Sequence, residues 1–242
     1  METPTIRRIV ITAVVVTAAL TSVPAWGQPP FRSFYPSDNT VRIRGGLFTP
    51  EGEEEYWEDK RLDFTGEPED FEDAFFGADY IRYLAPNFGL LVTGSVFEGE
   101  EAQSYLDFVD EAGGNISHTT SLDLATLQLG LVVVPVPRDW PILPYFGAGG
   151  GFYSWRLTES GDFIDFAPFP PEIFNSTFED DGVAQGYFFL AGFEVPLGQN
   201  WALFAEGRWE RAEDDLGGDD FEGFGTLDLS GRQVGAGLAW YF

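Results

Sequence analysis

The chain has 242 residues, no cysteine, and 40 acidic against 13 basic residues, for a formal net charge of −27. The missing thiols exclude disulfides and a lipid-modified N-terminal cysteine, and so acidic a surface excludes nucleic acid, whose phosphate backbone needs Lys and Arg. Aromatic residues make up 17% of the chain, too many for the disorder that strong net charge otherwise suggests.

At the N-terminus Arg7 and Arg8 precede an apolar run from Ile9 to Leu20, and the small residues Ala25 and Gly27 stand just before Gln28. A charged start, a short apolar stretch and a small-residue site read as a secretory signal peptide over residues 1–27. The run is about 12 residues against the roughly 20 that a spanning helix needs, and no later segment reaches that length. Removing it takes the net charge to −28, because its two arginines and one glutamate sum to +1.

Beyond residue 39, alternating segments predict eight strands, near 40–49, 74–84, 88–98, 121–134, 143–156, 184–195, 201–212 and 226–242. Twenty-nine glycines and 24 phenylalanines suit close-packed strands with aromatic girdles. The connections sort by parity. Those at 85–87, 135–142 and 196–200 are short, whereas those at 51–73, 98–118, 157–182 and 213–222 are long and hold 31 of the 40 acidic residues. In an up-and-down barrel alternate connections share an end, so this is the asymmetry of short turns on one side and long loops on the other. The fold class predicted is all-β: an eight-stranded, antiparallel, up-and-down transmembrane β-barrel.

The last strand sharpens that reading. Val234, Ala236, Leu238, Trp240 and Phe242 fall on one face of it, and Gln233, Gly235, Gly237, Ala239 and Tyr241 on the other. An apolar face ending in aromatics suits an outer surface against lipid with an interfacial girdle. This ending resembles the terminal strand of small bacterial outer-membrane β-barrels, and P-Y-F-G-A-G-G-G-F-Y at 144–153 resembles their glycine-rich strand. The chain is similar to the porin-superfamily barrel domains of the OmpA-transmembrane, OmpX and OmpW-like set. That resemblance implies residence in the outer membrane with both termini periplasmic, 28–39 as a periplasmic segment and 40–242 as the barrel domain. It also implies contact with outer-membrane lipid and lipopolysaccharide. Periplasmic chaperones and the barrel assembly machinery are further implied partners, the latter reading Leu238, Trp240 and Phe242 as a signal. No cofactor is expected.

Charges on the lipid face near mid-bilayer cost roughly 2–4 kcal/mol for Arg, so the charged rows of the first, sixth and seventh strands should point inward. Arg42, Arg44 and Arg208 are expected to meet Glu194, Glu206 and Glu210 in a cross-lumen ion-pair network, with Gly235, Gly237 and Ala239 as the space where Arg44 reaches Glu206. Such a network can act as a plug or as a gate or ion path. Phe188 and Leu190, apolar on the inner face, are either lumen packing or the wall of a hydrophobic-ligand site in the upper lumen. The acidic clusters Glu53, Glu54, Glu55 and Asp214, Asp215, Asp219, Asp220, Glu222 are either solvated loops or oxygen ligands for divalent cations.

Some barrels of this type are lipid A deacylases with Ser, His and Glu, so His118, the sole histidine, was paired with Ser117 and Ser121. No motif surrounds them, and the chain is expected not to be an enzyme. Two functions stand: a largely occluded barrel with a structural or surface-interaction role through acidic loops, or a narrow channel for small hydrophobic solutes or cations.

Overall fold

The computed structural model describes residues 38–168, 170–218, 220–221 and 223–242. The predicted signal peptide, residues 28–37 of the segment after it, and Asp219 and Glu222 lie outside the described residues. Nine strands form one continuous wall: β1 (Asn39–Pro50), β2 (Asp73–Ala85), β3 (Phe88–Val109), β4 (Asn115–Val133), β5 (Leu143–Asp165), β6 (Glu172–Pro196), β7 (Trp201–Asp215), β8 (Thr226–Asp228) and β9 (Gly231–Tyr241). From β1 to β7 each pairs antiparallel with the next, and β9 pairs with both β7 and β1. Thr40 opposes Tyr241 and Trp201 opposes Trp240, so the eight staves close into a ring, above which residues 172–185 of β6 and 98–104 of β3 pair within their hairpins only.

β8 and β9 are one stave on β7, giving eight staves in all. The single strand predicted at 226–242 is thus interrupted. At Leu229 and Ser230 the ladder is replaced by local bonds: Asp228 accepts from the Ser230 amide at 2.8 Å, and the Leu229 amide donates to Ala212 at 3.0 Å. Leu227 and Leu229 keep the inward parity of Gly231 and Gln233 across the break.

Period-two alternation sets the two faces. On β4 the outward row reads Ser117, Thr119, Ser121, Asp123, then Ala125, Leu127, Leu129, Leu131 and Val133. The apolar part spans about nine residues, the length a tilted strand needs to cross a bilayer. Neighbouring strands change at the same level: Val96 gives way to Glu98 on β3, and Phe152 to Ser154 on β5. Exposed aromatics sit toward both rims, Trp201 and Trp240 near the short turns and Phe152 and Trp209 near the polar edge.

Two of the connections expected to be loops are strand. β3–β4 and β5–β6 run on as hairpins, with 23 residues in β5 and 25 in β6, because alternation persists with polar residues outside in place of apolar ones. The first long connection folds into helix α1 (Glu55–Asp63) and a 3₁₀ turn at Pro68–Phe71. Tyr56, Trp57 and Phe71 pack inside the wall, and the Trp57 indole donates to the Asp228 carbonyl at 3.0 Å.

The glycine-rich segment of β5 makes room for large inward side chains on β6. A Cβ on Gly149 would stand 2.7 Å from the Phe188 ring, and one on Gly147 would stand 3.0 Å from Leu190 Cδ1. Overpacking of this kind costs roughly 1–3 kcal/mol. Gly149→Ala is therefore expected to lower the urea midpoint of unfolding from lipid vesicles. Outward-facing Gly207→Ala, whose Cβ meets nothing nearer than a Trp209 ring atom at 3.6 Å, should leave it unchanged.

Candidate functional site

Midway along the barrel, inward positions of seven strands carry polar groups between two apolar layers. Toward the short turns lie Ile81, Leu91, Val132, Phe204 and Tyr241, and toward the long loops lie Phe48, Phe75, Phe97, Leu124 and Trp155. Between them Arg42, Arg44 and Arg208 are each no more than 3% exposed. Arg42 donates to Glu194 at 2.7 Å and lies 4.0 Å from Glu206, its guanidinium 4.3 Å from the centroid of the Tyr145 ring. Glu194 also accepts from the Tyr241 hydroxyl. Arg44 donates to Asp79 at 3.3 Å, to Thr93 at 3.3 Å and to Gln233. Arg208 reaches Glu206 at 3.0 Å, Asp79 at 3.7 Å, Thr93 at 3.0 Å and Gln128 at 3.3 Å.

Such a barrel encloses a buried charged layer and carries a continuous apolar band on its outside, which a soluble domain does not. The chain is a transmembrane β-barrel. Solved structures similar to the barrel are small outer-membrane proteins. OprG of Pseudomonas aeruginosa is 12% identical with a TM-score of 0.49, over 86% of this chain and 97% of that one. Neisserial surface protein A is 12% identical at 0.46, over 85% and 98%. Outer membrane protein W of Escherichia coli is 14% identical at 0.43, over 86% and 98%. No protein-family model and no curated protein matches the chain. Identities this low pass no activity or ligand to this barrel.

The network's pairing differs in part from the expected one. Arg44 pairs with Asp79 rather than Glu206, which instead faces Arg208 and Arg42. Room for the Arg44 guanidinium comes from Gly77 on β2, where a Cβ would stand 3.0 Å from it. Gly237 accommodates the Phe204 ring and Gly235 the Phe75 ring. Glu210 has no guanidinium within 4.0 Å among the described residues and accepts from Gln128 at 3.4 Å. Asp79 is the residue that sequence reasoning missed. Its signal was its parity: it lies in register with Phe75, Ile81 and Tyr83 on an inward row. Phe188 and Leu190 sit in the layer toward the short turns, packed rather than lining an upper pocket, with Phe188 under Arg208 at 4.9 Å.

A second polar cluster sits above the upper apolar layer and clear of the lipid-facing band. There the chain's sole lysine meets its sole histidine. Lys60 of α1 lies 2.7 Å from Glu159 Oε1 and 3.1 Å from His118 Nε2, and the Tyr56 hydroxyl donates to Glu159 at 2.6 Å. The His118 ring stands between Phe64 at 4.6 Å and Phe163 at 5.0 Å. This cluster fastens α1 across the barrel mouth. Ser117 and Ser121 lie on the outward row, opposite in parity to His118, so the three form no nucleophile–base pair.

Among the described residues no group of three or more potential ligands is assembled. Glu53 pairs with Arg211 at 3.1 Å, Asp214 accepts from the Trp155 indole at 2.8 Å, and Asp215 accepts from Thr226 at 3.0 Å. Glu54 stands at the N-cap position of α1 with no capping hydrogen bond from its side chain, Glu55 lies against Gly225, and Asp220 accepts from the Glu179 amide at 3.4 Å. Asp219 and Glu222 lie outside the described residues.

Two outcomes follow from these geometries. Arg208→Ala strips a guanidinium from Asp79 and Glu206 and is expected to cost about 3–5 kcal/mol, the usual penalty for orphaning a buried charge. Glu210→Gln, which keeps shape and a hydrogen-bonding oxygen, should cost under about 1 kcal/mol. Both are read from urea unfolding. The His118 imidazole is pushed down from 6.5 to about 4, first by burial and then by the Lys60 ammonium, with Glu159 opposing. The folded state therefore binds fewer protons than the unfolded state between those values. Its contribution is full above pH 6.5 and is lost as pH falls toward 4. Trypsin cleavage after Lys60, normalised at each pH to cleavage of an unstructured peptide substrate, should accelerate over that window, and His118→Phe should reduce the pH dependence.

Proposed function

We propose that this protein is an integral outer-membrane barrel with an occluded lumen, which anchors a rigid acidic wall for surface interaction. The occupied lumen carries this reading. An eight-stranded barrel is just wide enough for side chains to fill it. Here the lower apolar layer, the network of three arginines with Asp79, Glu194 and Glu206, the upper aromatic layer and α1 lie one above another. Arg138, buried beneath with its guanidinium 3.8 Å over the Tyr83 ring, adds a further closure at the short-turn end.

In this reading the first 27 residues direct export and are removed. The short turns and both termini face the periplasm. Phe242 stays close to Asn39, its amide donating to the Asn39 carbonyl at 3.1 Å. Leu238, Trp240 and Phe242 form the strand end offered to the assembly machinery. Lipid covers the apolar band, and the acidic hairpins rise from its edge at Glu98 and Asp123. The channel reading requires several packed layers to move at once.

Planar-bilayer recording tests the proposal. Wild-type protein is expected to be silent, and the double variant Arg44→Ala with Arg208→Ala to show brief openings. Stable, cation-selective openings of the wild type would overturn the occluded reading and favour a channel.

A further inference from the structure

We propose that the two tallest hairpins present a docking surface for a cationic amphipathic polypeptide segment, an inference that rests on the surface-interaction reading above. The tips of β3–β4 and β5–β6 are tied together away from the bilayer: the Ile164 amide donates to the Tyr105 hydroxyl at 3.2 Å, and the Phe108 and Phe166 rings lie 5.1 Å apart. Around this tie Leu106, Phe108, Val109, Phe166, Ile173 and Phe174 are 41–60% exposed. A clustered apolar patch of this kind marks an interaction site on an otherwise soluble surface.

Lipid of the protein's own membrane does not cover it. Along β5, Asp165 lies about 13 residues beyond Phe152 at the edge of the lipid-facing band, roughly 40 Å of strand. The intervening outward row is Ser154, Arg156, Thr158, Ser160 and Asp162.

Charge narrows the occupant. Asp107, Asp110, Glu111, Asp162, Asp165 and Glu172 surround the patch, and no lysine or arginine occurs in 98–118 or 157–182. Among the described residues none of these six carboxylates has a cationic partner. A second copy of the same surface, or an anionic membrane, would meet like charge at every contact. A segment that alternates aliphatic side chains with Lys or Arg satisfies both features at once, its apolar residues between Phe108 and Phe166 and its cations on the rim.

The test uses the full mature chain in zwitterionic lipid nanodiscs, with empty discs subtracted. The probe is a fluorescent 12-residue peptide of alternating Lys and Leu, with all-Lys and Glu/Leu peptides as comparators. Saturable binding of the Lys/Leu peptide is expected, at least tenfold weaker for Phe108→Ser with Phe166→Ser. Asp107→Asn, Glu111→Gln and Glu172→Gln together should weaken it similarly and flatten its salt dependence. Both variants are required to keep the folded-barrel mobility shift on unheated gels. Equal binding of the all-Lys peptide would reduce the site to bare acidity, equal binding of the Glu/Leu peptide would remove the charge argument, and no binding would remove the site. Each of these overturns the proposal. Conductance of the same preparation separates the two readings: a silent barrel without peptide binding overturns only the docking surface, whereas an open wild-type barrel overturns the occluded anchor.

Discussion

Three guanidinium groups enclosed in a narrow closed barrel set the terms for the rest of the molecule. Each loses hydration on burial, and each must regain it from fixed partners. Arg208 does so most completely, donating to Glu206, Thr93 and Gln128 and standing 3.7 Å from Asp79. Arg44 and Arg42 complete a chain of contacts that joins β1, β2, β3, β6, β7 and β9 across the lumen. The ring of main-chain bonds defines the wall, and this chain of side-chain contacts fixes the distance between its opposite sides.

The glycines follow from the same demand. A narrow barrel cannot hold arginines, tyrosines and phenylalanines on every inward position, since large groups on facing staves would overlap. Gly77 yields to Arg44, Gly149 to Phe188, and Gly237 to Phe204. Small residues on one strand are thus the complement of large ones on its neighbour. The glycine-rich appearance of β5 reflects what β6 points at it.

Above the bilayer the logic changes from filling to fastening. The hairpins continue the wall, with outward rows that turn polar at a common level. Their inner faces carry buried rings together with Gln103, His118, Thr120 and Glu159, and receive α1, which is pinned by Lys60 to Glu159 and His118. A lone lysine in a chain of net charge −27 is therefore not a surface residue but the bolt of the cap. Apart from buried carboxylates such as Asp79, Glu159, Glu194, Glu206 and Glu210, many acidic residues of the long connections face the exterior, where like-charge repulsion keeps the wall soluble.

Much of this was legible from residue order alone, because period-two alternation is a local property. The eight-stave count, the parity of the connections and the inward direction of Arg42, Arg44, Glu194, Glu206 and Arg208 all follow from which residues alternate. The partners of those charges were legible only in part: Arg42 meets Glu194 from the expected set, whereas Arg44 takes Asp79, since pairing across a lumen depends on tilt and register between strands far apart in the chain. Arg44 and Asp79 are 35 positions apart, and Arg42 and Glu194 are 152. The same limit hid the Lys60–His118–Glu159 cap, whose members come from a helix and two strands. Alternation determined which face each side chain takes. Only closure of the ring decided which other side chain it meets there, because that depends on distances the local pattern does not contain.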